Sequence, residues 1–419
     1  MTPASSIERP GVAPTLAMMP RAVASGASQV ARLALPLLFL PSITRQMLPA
    51  ETGVYPTDMQ LAAWFALPAE FGATLYLFEV LSKSGPRRMK LLFWTDYTAR
   101  LGLYAAFSAV VLLVAWALGA NAAMVLMMLL GGWLVGSGLS VLRQFSGPLP
   151  LLIACDAATI FAYAAGMIVV FPRQPTAGVA LGCFVASLLV GHLAQIAIER
   201  PGWPSGFGKV FDRLRWHVRR RWRLLTMRTL GQAQSQAAVP LAAVLVGRGE
   251  AGVYGVAERL FAVFANLALI GVAALSPLLA RLYSRAPRRR FWIWATLAGA
   301  VTGGFGLVFG FAAFDASAIC RVLFGPAYAG AASYFGLLAV IYTLSTFNGL
   351  CLGGYLSLTG KGQGLFLATL VVTGLTVALS VGLAAHGVRG ILTARLTAES
   401  LLAASGLWAA WSSRTAAGR

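Results

Sequence analysis

The chain is short of charge, and above all of acid: 419 residues carry 33 Lys plus Arg but only 13 Asp plus Glu, with three His and four Cys. A globule of this size needs more ionised surface than 11% charged residues can supply, and 58% of the residues are hydrophobic, with a mean hydropathy of +0.75. That composition excludes a water-soluble protein and places the chain in a bilayer. The poverty in His and Cys argues against metal chemistry. Cys155, Cys183, Cys320 and Cys351 lie inside apolar runs with no paired spacing, as small core packers do, and His192, His217 and His386 are scattered through a span, a linker and a loop. No Gly-x-x-x-x-Gly-Lys-Ser/Thr segment occurs, so this chain hydrolyses no ATP, and no cofactor is expected. The first twenty residues lack the compact apolar core and cleavage site of a secretion signal and read as a short cytosolic tail.

What is present is a half-length echo. Glu51-Thr52-Gly53-Val54-Tyr55 returns as Glu250-Ala251-Gly252-Val253-Tyr254, and the same offset matches Pro41 to Pro240, Leu61 to Leu260, Phe65 to Phe264 and Gly72 to Gly271. In a membrane protein such a repeat points to a transporter of two halves that rock around a shared central site.

A span needs about twenty apolar residues, and twelve can be laid out: 23–43, 57–81, 98–119, 121–142, 149–171, 175–197, 226–246, 253–280, 291–313, 331–355, 364–384 and 390–411. The short join Gly119-Ala120-Asn121 makes the third and fourth a helical hairpin. Lys and Arg crowd alternate loops, with Lys83 to Lys90, the cluster from Arg200 to Arg223, and Arg281 to Arg290 on one side. The opposite loops hold only Arg45, Arg173, Arg248, Arg321 and Arg389, a bias that puts both termini in the cytosol. The net charge of +20 thus records topology, and nucleic acid is not an expected partner.

The expected fold is an all-α polytopic integral membrane protein of about twelve transmembrane helices. They form two six-helix lobes related by pseudo-two-fold symmetry along the membrane normal, residues 1–198 and 226–419, joined by a basic cytosolic linker at 199–225. In the linker Phe211, Leu214, Val218 and Trp222 recur at helical spacing among Arg213, Arg219 and Arg220, which suits either an amphipathic helix on the inner leaflet or a merely topogenic loop.

Three stretches carry a resemblance: Gly247 to Leu260, then Pro277 with Leu282 and Tyr283, and Leu323-Phe-Gly-Pro-Ala-Tyr-Ala-Gly-Ala-Ala332. In order and spacing they resemble the lipid-linked oligosaccharide and polysaccharide flippases of the multidrug/oligosaccharidyl-lipid/polysaccharide superfamily, over nearly the whole chain. The resemblance implies a central cavity that carries a polyprenyl-diphosphate-linked glycan from the inner to the outer leaflet of the cell inner membrane, for O-antigen, capsule or exopolysaccharide synthesis. Membrane lipids would be its surroundings, and polysaccharide polymerase or export proteins further partners. It implies no catalysis. A drug/cation antiporter of the same superfamily is the near alternative, and would favour an acidic cavity. A membrane glycosyltransferase or polymerase is the rival from another class; the outer loops here are short and hold no paired carboxylates for acid-base work.

Intramembrane polar residues are the candidate site. Ser25, Ser28, Gln29 and Arg32 form one stripe on the first span, and Arg228, Gln232, Ser235 and Gln236 another on the seventh, its equivalent in the repeat. Facing stripes of this kind would bind a diphosphate, because a guanidinium pairs its planar donors with phosphate oxygens and stays charged. Snorkelling to the inner surface is the bland reading of Arg228. Arg259, where the family places an Arg-Leu pair, would complete the cationic cavity, unless Glu258 and Arg259 pair structurally with the Glu250 region. Glu70 either neutralises Arg32 or binds a coupling proton or sodium ion, and Asp156 is a second coupling candidate. Asp96 with Arg100, and Arg395 with Glu399, are four apart and read as structural pairs on their own helices.

Overall fold

A proline at the first position of a helix loses nothing, because its absent N–H would have had no intrahelical partner, and Pro49 uses that freedom. Leu48 is extended (φ −69°, ψ 154°), and the helix that follows runs Pro49–Glu70, straight through Pro56. This is a computed structural model, and it describes residues 35–71, 86–137, 149–199, 212, 215, 237–285, 289–350 and 362–416. The regular structure is helical throughout these residues. In chain order the long helices are α1 (35–46), α2 (Pro49–Glu70), α3 (Pro86–Ala117), α4 (Ala122–Gly136), α5 (Leu149–Ala165) and α6 (Ala177–Glu199). They continue with α7 (Ala238–Leu245), α8 (Arg248–Arg285), α9 (Arg290–Phe314), α10 (Ala332–Gly349), α11 (Gly362–Gly382) and α12 (Gly387–Ala416). Each falls on one of the twelve expected spans. Five pass for membrane crossing on length and composition alone, or six if the bent α11–α12 pair counts once. The others are shorter within the described residues or carry more polar residues.

Several boundaries differ from expectation. α2 begins at Pro49 rather than 57, which reduces the preceding loop to Met47-Leu48, since an interior proline removes one backbone bond without ending the helix in this setting. α3 starts at Pro86, twelve residues before the expected 98, so Lys90 sits on a helix and pairs with Glu199 at the end of α6 (3.1 Å). The α3–α4 hairpin forms where expected. Gly119 takes the left-handed conformation that lets the chain reverse (φ +68°), and the Asn121 side chain caps α4 by accepting from the amides of Ala123 (3.0 Å) and Met124 (3.3 Å).

Packing divides the chain as the echo does. The two largest hydrophobic clusters are one drawn from residues between Leu35 and Val185 and one that joins Ala238 to Leu392 and takes in Leu40 of α1; two smaller ones lie around Trp294 and around Leu402. Cys155, Cys183 and Cys320 are buried and unbridged; Cys351 lies outside the described residues. The reverse of a soluble surface covers the outside: Leu307, Phe311 and Phe314 on α9 are exposed, Phe314 to 91%, as side chains meeting lipid would be.

One buried cation organises the first half. Arg100 on α3 is fully buried and pairs with Asp96 one turn earlier (2.9 Å), as the four-residue spacing predicted. Its other nitrogens donate to the carbonyls of Ala69 (2.9 Å), Gly136 (3.3 Å) and Ser137 (2.9 Å). These carbonyls lie at the C-terminal ends of α2 and α4, where the helix dipole is negative. α2 ends at Glu70, and the next residue, Phe71, is left-handed (φ 45°). Beside this centre His192 is buried between the Tyr97 hydroxyl (3.0 Å) and the Ser137 hydroxyl (3.4 Å).

Candidate functional site

The two copies of the echoed segment meet each other. α2 begins at Pro49 and α8 at Arg248, an offset of 199 residues (248 − 49), the same as that between Gly53 and Gly252. The first turns of the two helices cross at these glycines. A methyl group on Gly53 would fall under 3.0 Å from the carbonyl oxygen of Arg248, and one on Gly252 under 3.0 Å from that of Pro49. Each glycine thus faces the carbonyl four residues before the other, a reciprocal contact that only glycine permits.

Further bonds cross between the halves at this end. The Tyr328 hydroxyl reaches the Met47 carbonyl (3.2 Å) and the Thr52 hydroxyl (2.5 Å), and Arg45 donates to the Val322 carbonyl (2.9 Å). Tyr328 belongs to the Leu323–Ala332 stretch. There Gly325 turns the chain (φ +88°), Pro326 opens a short tight helix, Pro326–Ala331, and the motif delivers its tyrosine to the other half.

One step deeper, Gln60 of α2 donates to the Oε2 of Glu258 on α8 (2.9 Å). Glu258 Oε1 accepts from Arg395 of α12 (2.8 Å) and from the Tyr342 hydroxyl of α10 (3.2 Å). Arg395, 1% exposed, lies 4.8 Å over the Tyr342 ring and donates weakly to the Tyr254 hydroxyl (3.4 Å). Its Nε has no hydrogen-bond partner among the described residues. Here the structure corrects an expectation: the salt bridge of Arg395 runs to Glu258, 137 residues away, while Glu399 holds the Asn348 amide (2.6 Å). Helix packing places a carboxylate of α8 directly against the guanidinium, and the local alternative is already engaged. Nor does Glu258 pair with the Glu250 region; Glu250 accepts from Tyr334 (2.8 Å).

Of the expected site residues, Arg259 lies on this seam. It is half-buried, approaches the Met59 sulfur (3.7 Å), and lines a small pocket with Pro36, Leu40, Tyr55, Pro56, Met59 and Gly255, drawn from both halves. Beside it the Tyr55 and Tyr163 hydroxyls join α2 to α5 (3.1 Å). Gln29 and Arg32, and Arg228, Gln232 and Gln236, lie outside the described residues, as does most of the 199–225 linker. Glu70 is the half-buried last residue of α2, and Asp156 is buried on α5. Gln60, Tyr342 and Tyr328 are the site residues that spacing alone did not single out. A glutamine inside an apolar helix was the available signal for the first.

The sequence matches no protein-family model and no curated relative. Solved structures share its fold. An inward-facing multidrug resistance MATE family transporter of the MOP superfamily superposes with a TM-score of 0.66 at 13% identity, over 93% of this chain and 98% of that one. A MOP superfamily transporter from Pyrococcus furiosus, described by the reverse polarity of its binding pocket, gives 0.63 at 12%, over 96% and 97%. The lipid II flippase MurJ, in an inward closed conformation, gives 0.65 at 10%, over 93% and 87%. At these identities the likeness is one of fold, that of a multi-pass all-helical membrane protein.

Proposed function

We propose that this chain flips a polyprenyl-diphosphate-linked glycan across the cell inner membrane by alternating access, with residues 1–198 and 226–419 as the moving lobes and both termini in the cytosol. The observation that carries the reading is Arg259, a half-buried cation on the seam, in a pocket lined by both halves. A cation held between two elements that separate suits an anionic head group, which it would meet when the pocket opens toward one leaflet. Arg32 and Arg228, with Gln29, Gln232 and Gln236, would extend that cationic surface on the first and seventh spans, and Glu70 and Asp156 remain candidates for the coupling ion. The prenyl tail would stay in lipid against the apolar exterior. The shared fold with the lipid II flippase supports this assignment, and the basic loops support the orientation.

Depletion of the protein should make a polyprenyl-diphosphate-linked glycan accumulate on the inner leaflet, and Arg259→Ala should reproduce that accumulation at normal membrane abundance. A normal pool of lipid-linked glycan in depleted cells would overturn the reading. The drug/cation antiporter is favoured by one observation, the buried Asp58 carboxylate on α2, whose Oδ2 has no hydrogen-bond partner among the described residues. That reading predicts instead that depleted cells retain organic cations such as ethidium.

A further inference from the structure

The contact between the halves is closest at two residues that the repeat makes equivalent, and at both the obstacle to a side chain is backbone. A Cβ at Gly53 would meet the Arg248 carbonyl and, at 2.8 Å, the Gly252 nitrogen; a Cβ at Gly252 would meet the Pro49 carbonyl and, at 2.9 Å, the Gly53 nitrogen. A flexible side chain can swing aside, whereas a carbonyl in the first turn of a helix moves only with the helix. One methyl group at either position therefore forces α2 and α8 apart by on the order of an ångström.

The surrounding bonds do not survive such a step. Tyr328 to Met47 and Thr52, Arg45 to Val322, and Gln60 to Glu258 all bridge the same two halves at 2.5 to 3.2 Å. A hydrogen bond weakens steeply beyond about 3.5 Å, so a separation of this size breaks them together. Glycine elsewhere on the same turn is not under this constraint: a Cβ on Gly249, one residue into α8, has nothing within 4 Å.

We propose that Gly53 and Gly252 are reciprocal seats that allow this end of the molecule to close, so that side-chain volume at these two positions sets the balance between its closed and open forms. The proposal rests on the two-lobe, two-state reading above. It concerns the closing step alone, whatever molecule is carried. On the topology expected from the basic loops, the end in question faces away from the cytosol.

The test uses the full-length protein in lipid nanodiscs, with the four native cysteines replaced and new ones at Arg45 and Val322, joined by a short bifunctional thiol reagent. The parent should cross-link in high yield, and Gly249→Ala should match it. Gly53→Ala and Gly252→Ala should each lower the cross-linking rate about tenfold, with the double variant at least as low, because a population shift of that size follows from losing the closed contact. Parental cross-linking in either alanine variant would overturn the proposal. So would failure of both to reach the membrane while Gly249→Ala does, since the glycines would then serve folding rather than closure. The reagent reads the seam without any substrate. Loss of cross-linking with a normal lipid-linked glycan pool in depleted cells would therefore retain the seats and remove the flippase assignment, and the opposite pattern would do the reverse.

Discussion

Two arginines are buried to the same degree, one in each half, and they are satisfied in opposite ways. Arg100 is bound by Asp96 and by three backbone carbonyls of α2 and α4, all within the first half. Arg395 is bound by side chains, Glu258, Tyr342 and Tyr254, and Glu258 in turn holds Gln60 of the other half. Backbone at a helix end cannot change rotamer, so Arg100 locks three helices together and suits a body that moves as a unit. Side chains can exchange partners, so the Arg395 centre is the kind of contact that the proposed separation of the halves would require. The contrast separates two reasons for placing a charge in a membrane: to finish helices within one half, and to join the two halves.

Four tests would break or sharpen this contrast. The largest loss is expected for Arg100→Lys, because an ammonium cannot reach carbonyls of two helices and a carboxylate together; a destabilisation of about 3 kcal/mol or more should appear as a collapse of membrane abundance. Asp96→Asn should not rescue it, since the helix ends stay uncapped. Next, Glu258→Gln and Arg395→Gln should each lower thermal stability in detergent by about 3 kcal/mol through the orphaned partner, while the double variant recovers a large part. Additive losses would show instead that Glu258 and Arg395 are not coupled, and would remove the pair as a link between the halves.

Gln60→Ala removes a hydrogen bond to a charged group that joins the halves, a loss of about 1.5 kcal/mol from the closed form alone. Cross-linking between positions 45 and 322 should fall about tenfold with the melting of the first half unchanged; a parallel fall in thermal stability would mean that the seam is part of the static core. The smallest effect is expected for Tyr328→Phe. Loss of one neutral hydroxyl, about 1 kcal/mol, should lower the same cross-linking a few-fold and leave abundance near the parent.

What could be read before the fold was known follows the range of each interaction. The Asp96–Arg100 pair, the Asn121 hairpin and the twelve apolar stretches are local, set by spacings of a few residues or by runs of about twenty. The echo was legible because it keeps one offset along the chain, and that offset is the one between the starts of α2 and α8. Arg100's carbonyl partners were not legible, since every residue has a carbonyl and only the fold selects which ones lie near. The same applies to Arg395. Spacing offered Glu399, and the partner came from a helix 137 positions away. The start of α2 lies before the apolar stretch that begins at residue 57, because Pro49 opens the helix and Pro56 sits inside it without ending it.

The meeting of Gly53 with Gly252 has one more consequence. A residue that touches its own equivalent across a two-fold axis is the signature of a homodimer contact, here written into a single chain. In two copies of a half-length ancestor, one codon would have controlled both sides of the contact, and any enlargement would have been felt twice. In a single chain the two codons are separate. Each side can then be altered alone, so the tightness of closure becomes adjustable in single steps that a symmetric dimer could not take.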